Sequence, residues 1–583
     1  MFLQWDVKFW VKENRLKLRL CDFCHLSVKK SLVVLPLILS RSTEQATLQI
    51  MRYLIPLFIL LAISSSSLAQ SSFPYEVQLT PKFVQGMPGL HSFAFAQHNG
   101  YWIFIGGRRD GLHARQPFNA FPASSNNNEI LLVNPETNEL WTTSVTGLPS
   151  NLSEQLQCTN MNFHQDGDFL YLVGGYAFSS SADDHITFPL LTQINLDFLV
   201  SEVQSGSITA APFEQIEDDF FAVTGGHLSK LGDSFYIVGG HRFDGRYNPM
   251  GMPTYTQSYT NALRVFTLSN DGALSYEEGA SVIDPVHLHR RDYNLLSEIR
   301  PDGTNGLMIS SGVFQPNADL PFLYPVLIDE DGIQAETSFN QYLSNYHSAA
   351  ASLLNEDDNA MHHLFFGGMS QFYYENGVLM QDDLVPFVKT ISRVEHDAEG
   401  NFEEFLMNTE MPNLKGSSAE FIPMLNDQLA ENGVIRFNET SADTMLIGHI
   451  YGGILSQENH AFQFNNTQVT SADPSIYEVR LVRNTETSVE SLPGQNDFTF
   501  EAFFEVDSQR IRLVYGLEQE RDVHFYLTSS NGQLIQDGKI DGLQGQNEEF
   551  IRLQSSLASG IYMITVSLDN VFFDVQQVFL SER

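Results

Sequence analysis

Apolar residues recur along this chain in short bursts and not at helical spacing. Six times a run of aromatic, β-branched or other apolar side chains climbs into a pair of small residues: YWIFIGG at 101–107, FLYLVGG at 169–175, SFYIVGG at 234–240, GLMISSG at 306–312, MHHLFFGG at 361–368 and MLIGHIYGG at 445–453. Ahead of each lies another strand pattern that opens on a polar or small residue: HSFAFA at 91–96, CTNMNF at 158–163, HLSKL at 227–231, RDYNLLSEI at 291–299, YHSAAASLL at 346–354 and SSAEFIPML at 417–425. Turns such as His98-Asn99-Gly100 and Asp166-Gly167-Asp168 separate the two, which predicts hairpins. A polar loop and a third strand follow the doublet. This is clearest in NEILLVNPETNELW at 128–141, where residues 134–138 turn into a fourth strand. One sheet repeated six times, at spacings that vary with the loops, predicts an all-β chain built on a six-bladed β-propeller.

The ring also has a predicted closure. The sixth unit supplies three strands, the last being IYEVRLV at 476–482, while an unassigned strand, YEVQLTPKFV, stands before the first unit at 75–84. Its continuation, Gly86-Met87-Pro88-Gly89-Leu90-His91, echoes Glu410-Met411-Pro412-Asn413-Leu414-Lys415, which leads into unit six. The N-terminal strand is therefore expected to complete the last blade, burying Val77, Leu79 and Phe83 and removing two open sheet edges.

The order of strand, turn, apolar strand, Gly-Gly, long loop and strand, with its NPETNELW segment, resembles the kelch repeat over roughly residues 75–484. The resemblance implies a kelch-like propeller over 71–484. Its fourth unit departs from the pattern, with Ser311-Gly312 in place of the doublet.

The ends of the chain speak to its location. Residues 51–70, MRYLIPLFILLAISSSSLAQ, combine one arginine, an apolar run and a small-residue exit at Ser67-Leu68-Ala69, the pattern of a secretory signal peptide cut after Ala69. Residues 1–50 are basic and lack the repeat, so they are read as an upstream extension with translation starting at Met51; the alternative is an anchor through 32–39, which is too short to span a bilayer. Cys21 and Cys24 stand in that extension without the further ligands that a zinc site needs, leaving Cys158 as the one cysteine after residue 70. At the other end, after a linker at 485–494, residues 495–583 read as a small β-sandwich. HFYLTSSNGQLI (524–535) contains an Asn-Gly hairpin turn, and EEFIRLQSSLASGIYMITVSLDN (548–570) holds two more strands joined through Ser559-Gly560. Together with FFDVQQVFL at 572–580, this pattern is similar to the type A C-terminal sorting domain of the type IX secretion system; a fibronectin-like accessory module is the alternative. The resemblance implies export by a bacterium of the Bacteroidetes type, with the type IX machinery as partner and a secreted or outer-membrane surface location.

Charge sharpens the partner classes. The chain has 32 Lys and Arg against 70 Asp and Glu, and residues 71–583 keep 23 and 66 of them, a formal charge of −43. Such a surface repels nucleic acids and anionic membranes, and no stable membrane span is expected. Against this background the axial face should be locally basic. The openers His91, Asn160, His227, Arg291, His347 and Ser418 and the residues after the doublets, Arg108, Arg109, His241 and Arg242, are expected to converge there. The loops RRDGLHARQPFNAF (108–121) and HRFDGRYNPMGMPTY (241–255) add guanidinium groups and the aromatics Phe118, Phe121, Tyr247 and Tyr255. Guanidinium forks recognise carboxylates and sulfates, and aromatic rings stack on sugars. The functional expectation is a binding module for a carbohydrate or protein ligand, with no cofactor. The bland alternative is that these side chains only lock the blades together. Catalytic alternatives are an enzyme on acidic glycans, of lyase or mutarotase type, or a copper radical oxidase. The last follows from a resemblance of Tyr346-His347-Ser348 to the galactose oxidase family, which implies Tyr346 and His347 as ligands, Cys158 as a crosslinked thiol, and His449 or His460 as the second histidine. Motifs of serine hydrolases, zinc proteases and nucleotide-binding loops are absent from the sequence.

Overall fold

The computed structural model of the chain describes residues 8–12, 15–19 and 73–581, apart from 117, 250–252, 376, 485–490, 493–497, 507 and 554–556. The chain forms two compact units, 1–70 and 71–583. In the first, Lys8–Lys12 and Arg15–Arg19 pair as antiparallel strands. The start at Met51, the segment 51–70 and the pair Cys21 and Cys24 lie outside the described residues.

Residues 73–484 build six sheets, one per blade, each with a core of four antiparallel strands; short extra strands join three of them, Val282–Ile283 in blade 3, the parallel Ile435–Phe437 in blade 5 and Thr470–Ala472 in blade 6. Blade 1 runs Ala94–His98, Tyr101–Ile105, Glu129–Asn134, Glu139–Ser144, and blades 2 to 5 repeat that order from Asn162–Asp166, His227–Leu231, Asn294–Ile299 and Ala349–Asn355 outward. Blade 6 takes Leu414–Pro423, Thr444–Ser456 and Ile476–Arg483 from its own stretch and Tyr75–Lys82 as its outer strand, paired from Tyr75↔Arg483 to Lys82↔Ile476. The closure expected from the sequence is thus present, and the fold is an all-β propeller of six blades. Its burial differs from expectation at one end: Phe73, Tyr75 and Val77 are buried, but Phe83 is 80% exposed, because the strand ends at Lys82 and the chain turns away.

The small-residue doublets have a steric cause. A Cβ on Gly174 would lie 1.9 Å from the Val223 carbonyl oxygen, and one on Gly367 2.3 Å from that of Lys415. Both glycines have positive φ, 65° and 68°, a region that favours glycine. The doublet is therefore where the next blade's backbone crosses in contact. The following residue then donates across the seam: Gly107 to Cys158, Gly175 to Val223, Gly240 to Arg290, Gly312 to Asn345 and Gly453 to Leu90. In unit four Ser311 takes the left-handed position at φ 54° and donates its hydroxyl to the Phe322 carbonyl, which accommodates the departure from Gly-Gly.

Two additions were not legible in the pattern. The helix Leu196–Ser205, capped by the Asn195 side chain and ended by Gly206 in the left-handed region, packs Leu196, Leu199 and Val203 into the core shared by blades 1 and 2. Within the stretch read as a linker, Ser491–Leu492 pairs with the outer strand of blade 5. Beyond it, Phe500–Glu505, Arg510–Leu517 and Gly545–Arg552 form one sheet, and Leu534–Gly542, Arg521–Ser529, Gly560–Leu568 and Phe572–Leu580 the other. Their apolar residues, among them Ile511, Leu513, Phe525, Ile564 and Val566, share one core, making a small β-sandwich.

Candidate functional site

Around the propeller axis the backbone closes a ring. Ser92 N donates to Ser418 O, Ser418 N to His347 O, His347 N to Asp292 O, Asp292 N to Gly225 O, Gly225 N to Asn160 O, and Asn160 N back to Ser92 O, at 2.8–3.1 Å. Each blade contributes one residue, and each bond crosses one seam. Five of the six are left-handed, with φ of 55° at Ser92, 52° at Asn160, 67° at Gly225, 51° at Asp292 and 58° at Ser418. Short polar residues and glycine bear that conformation at least cost. The polar openers seen in the sequence are thus explained first by backbone geometry.

The nine residues expected at the site divide into three groups. Asn160, His227, His241, Arg291 and His347 come together around the ring. Asn160 Nδ2 donates across to Asp292 Oδ1 at 3.2 Å. The His227 and His347 rings stand 5.3 Å apart edge to face, and His347 Nε2 lies 3.4 Å from Glu420 Oε1. His241 is buried and receives a hydrogen bond from Gln257 Nε2 at Nδ1. Arg291 donates from Nη1 to Asp292 at 2.7 Å and from Nε to the Tyr259 hydroxyl at 3.1 Å, with its guanidinium 4.9 Å from the Phe314 ring centre.

His91 and Arg108 form the second group and serve the seam. Arg108 is buried, forks onto Asp110, and reaches Asn126 at 2.8 Å; the His91 and Arg108 backbones are bridged. Burial works against the Asp110 charge, but hydrogen bonds from His91 and Arg108 hold its carboxyl at about 2. Arg109 and Arg242 are the third group. Arg109 is exposed and engaged by Asn127 and Glu129, and Arg242, also exposed, pairs with Asp244 and Asp219. The local basic cluster is smaller than the sequence suggested, because an arginine after a doublet begins a loop whose own acids meet it.

Other residues complete the wall. His113 stacks on Phe121 at 4.6 Å and meets Tyr247 edge to face at 4.8 Å. Arg115 lies 4.5 Å over Phe462 and touches Gln463 at 3.4 Å. It has no carboxylate partner among the described residues, and its Nε is buried without a hydrogen-bond partner. Tyr259 stacks on His289 at 3.8 Å. Burial raises the Tyr247 hydroxyl above the ordinary phenol range, against the opposing charges of Arg115 and Arg291. Phe121, Tyr247 and Tyr255 belong to this aromatic surround, whereas Phe118 is 71% exposed. His113 and Arg115 lie inside the loop singled out by composition, but nothing in their spacing marks them. Tyr259, His289 and Phe314 carry no sequence signal at all.

The copper ligand set is not assembled. Cys158 is buried in the apolar core between blades 1 and 2, where burial lifts its thiol well above the ordinary range, while Tyr346 packs in a different cluster. His449 lies against Trp102 at 4.7 Å, and His460 is held by Asp382 at 2.8 Å. The oxidase reading is withdrawn.

Burial keeps the axial imidazoles neutral. It holds His113, His227 and His289 at about 4 and His347 at about 3, and His164 and His449 elsewhere at about 4. An unfolded histidine titrates near 6.5, so between about pH 6.5 and 4 the unfolded chain binds protons that the folded one refuses, and stability falls as pH falls. Burial raises Glu404 to about 8 and also raises Asp292 and Glu420, which favours the folded state on acidification, but these three oppose six histidines. The melting temperature is expected to drop progressively from pH 7 to 4.5. A flat or rising profile by scanning calorimetry would contradict the burial of this cluster.

No family model matches the chain, and no curated protein matches it. Among solved structures, the one titled "Structure of YjhT" is 11% identical, with 70% of this chain and 100% of that one covered at a TM-score of 0.40. A glycoside hydrolase family 43 arabinoxylan arabinofuranohydrolase from Bacillus subtilis is 10% identical, with 85% and 96% covered at 0.26. PorZ, a surface component of the type IX secretion system of Porphyromonas gingivalis, is 10% identical, with 86% and 99% covered at 0.11. At these values none of them bears on what this chain binds. Among the described residues no helix is long and apolar enough to cross a membrane.

Proposed function

We propose that this chain is an exported, kelch-like propeller that binds an anionic carbohydrate on its axial face, and that residues 495–583 are its type IX sorting domain. One observation carries the binding reading. In a chain of formal charge −38, Arg115 stands over an aromatic ring beside the axis with a buried Nε and no carboxylate partner among the described residues. The Nη2 side of the same guanidinium is exposed and, among the described residues, meets only Gln463 at 3.4 Å, so a ligand carboxylate or sulfate would supply the counter-charge it lacks. Arg291, whose charge is shared with Asp292, is the second anchor, and Phe121, Tyr247 and Tyr255 supply faces for sugar rings. Calorimetric titration with trigalacturonate tests this. Binding by the parent chain and its loss in Arg115→Ala support the reading; no heat with the parent chain refutes it.

The export reading rests on the signal-like segment 51–70 and on the sandwich with its Asn-Gly turn and Leu557-to-Tyr562 segment. Removing 495–583 in a type IX host is expected to trap the protein in the periplasm. Undiminished surface display of the shortened chain, seen by protease shaving, would show that this domain is not the sorting signal.

A second reading, an enzyme on acidic glycans, is favoured by one contact: the Tyr259 hydroxyl accepts a hydrogen bond from Arg291 and its ring stacks on His289. A phenol beside a guanidinium is suited to proton transfer next to a bound carboxylate. Appearance of unsaturated uronate absorbance on incubation with polygalacturonate, lost in Tyr259→Phe, would establish the lyase form.

A further inference from the structure

The loop 311–325 of blade 4 faces two ways. Toward the axis it presents Phe314, 4.9 Å from the Arg291 guanidinium and 6.4 Å from the Tyr346 ring, and Asp319, whose charge is felt by Tyr247 and Tyr346. Toward the sandwich it is gripped by the turn between the last two strands and by the neighbouring strand Arg521–Ser529. Gln315 Nε2 donates to the Asn570 carbonyl at 2.6 Å and Asn317 Nδ2 to the Tyr526 hydroxyl at 3.1 Å. Phe573, 1% exposed, enters the blade 4 core against Phe322 and Tyr324, at 6.2 and 4.9 Å between ring centres. Val571 packs on Leu323 and Phe372.

We infer that the C-terminal sandwich is a positioning element of the axial face: its terminal hairpin and the neighbouring strand Arg521–Ser529 hold the loop that sets Phe314 against the Arg291 guanidinium. The inference rests on the reading of that face as an anion site. The physical argument is one of local order. Val313 is tied to Arg291 by two backbone bonds, but beyond it residues 314–320 make few of their own, Gln315 N to Leu320 O and Ala318 N to Gln315 O, so this outer part of the loop leans on side chains anchored in the sandwich. A loop so held is drawn from the low-stability end of the structure. Whatever loosens the hairpin must then raise the ordering cost of ligand binding, and by reciprocity ligand binding must tighten the hairpin's grip. Tyr526, Asn570 and Phe573 therefore act through Phe314 and do not touch ligand themselves.

The test keeps the full chain. Tyr526→Phe removes one hydroxyl from the interface and Val571→Ala trims the wedge, while Arg512→Ala, in an exposed pair with Glu548 on the other sheet, serves as control. Hydrogen exchange of peptides covering 312–322 is expected to speed up about tenfold in the first two variants and to stay at the parent rate in the control, with the global melting temperature of Tyr526→Phe unchanged. Affinity for trigalacturonate should weaken about three- to tenfold in step. Conversely, saturating trigalacturonate should slow exchange in peptides covering 568–573 of the parent chain. Unchanged exchange at 312–322 in both variants overturns the grip, and faster exchange with parent-like affinity overturns its role in binding. If trigalacturonate binds no version of the chain, the pocket reading fails, and the exchange rates at 312–322 still decide whether the hairpin orders the loop.

Discussion

Removing residues 73–82 leaves a chain without a cooperative unfolding transition. The strand Tyr75–Lys82 supplies the outer edge of blade 6, and its loss uncovers the length of Ile476–Arg483. Phe73, Tyr75 and Val77 are all nearly fully buried, each worth about 1.5–3 kcal/mol on burial. Arg393, itself 1% exposed, lies 4.9 Å over the Phe73 ring, and Arg483 lies 4.8 Å over Tyr75. Deleting those rings strips apolar cover from one buried cation and from a second, partly exposed one. The sum is comparable with the whole stability of a typical domain, roughly 5–15 kcal/mol. Near-ultraviolet circular dichroism and a urea titration check this; a deletion variant with parent-like signals and a single sharp transition would show that the ring closes without its clasp.

The second large effect separates two arginines of one loop. Arg108→Ala leaves the half-buried Asp110 carboxylate in the seam without its fork, and a charged hydrogen-bonded contact is worth about 1.5–3 kcal/mol, so this variant should lose several degrees of thermal stability. Arg115→Ala removes a guanidinium with no carboxylate partner among the described residues. It should melt within about a degree or two of the parent, since side chains without such partners contribute little, and lose about 1.5–3 kcal/mol of affinity for an acidic saccharide, roughly ten- to a hundredfold. Differential scanning fluorimetry and titration calorimetry on the same preparations read both quantities. The reverse assignment, a stable Arg108→Ala and an unfolded Arg115→Ala, would show that the loop is organised around the other residue.

Much of the architecture was legible because it is written in local patterns. Alternation and the doublets located every inner pair of strands, and the echo between residues 86–91 and 410–415 located the clasp; Met87 and Met411 are buried alike. The site was legible only in part, for a physical reason. A polar residue opening an inner strand can be there for its side chain or for its tolerance of left-handed φ, and sequence does not separate the two. Ser92, Asn160, Asp292 and Ser418 answer the second demand, which also explains why His91, one residue before Ser92, serves the seam and not the axis. Arg109 and Arg242 looked like free charge because Glu129 and Asp219 come close only in the fold, whereas Asp110 meets Arg108 from the same loop. Arg115 and Tyr259 acquire meaning only from neighbours far away in sequence, Phe462 and Arg291.

Preference for anions at the axial face is what separates a binding site from a set of blade-locking side chains. The most direct measurement is a glycan array carrying matched acidic and neutral saccharides, probed with the parent chain and with Arg115→Ala at equal concentration. The account predicts that the parent retains uronate- or sulfate-bearing glycans over their neutral counterparts and that Arg115→Ala retains neither. Equal retention of acidic glycans by both proteins, or none by the parent, would contradict it.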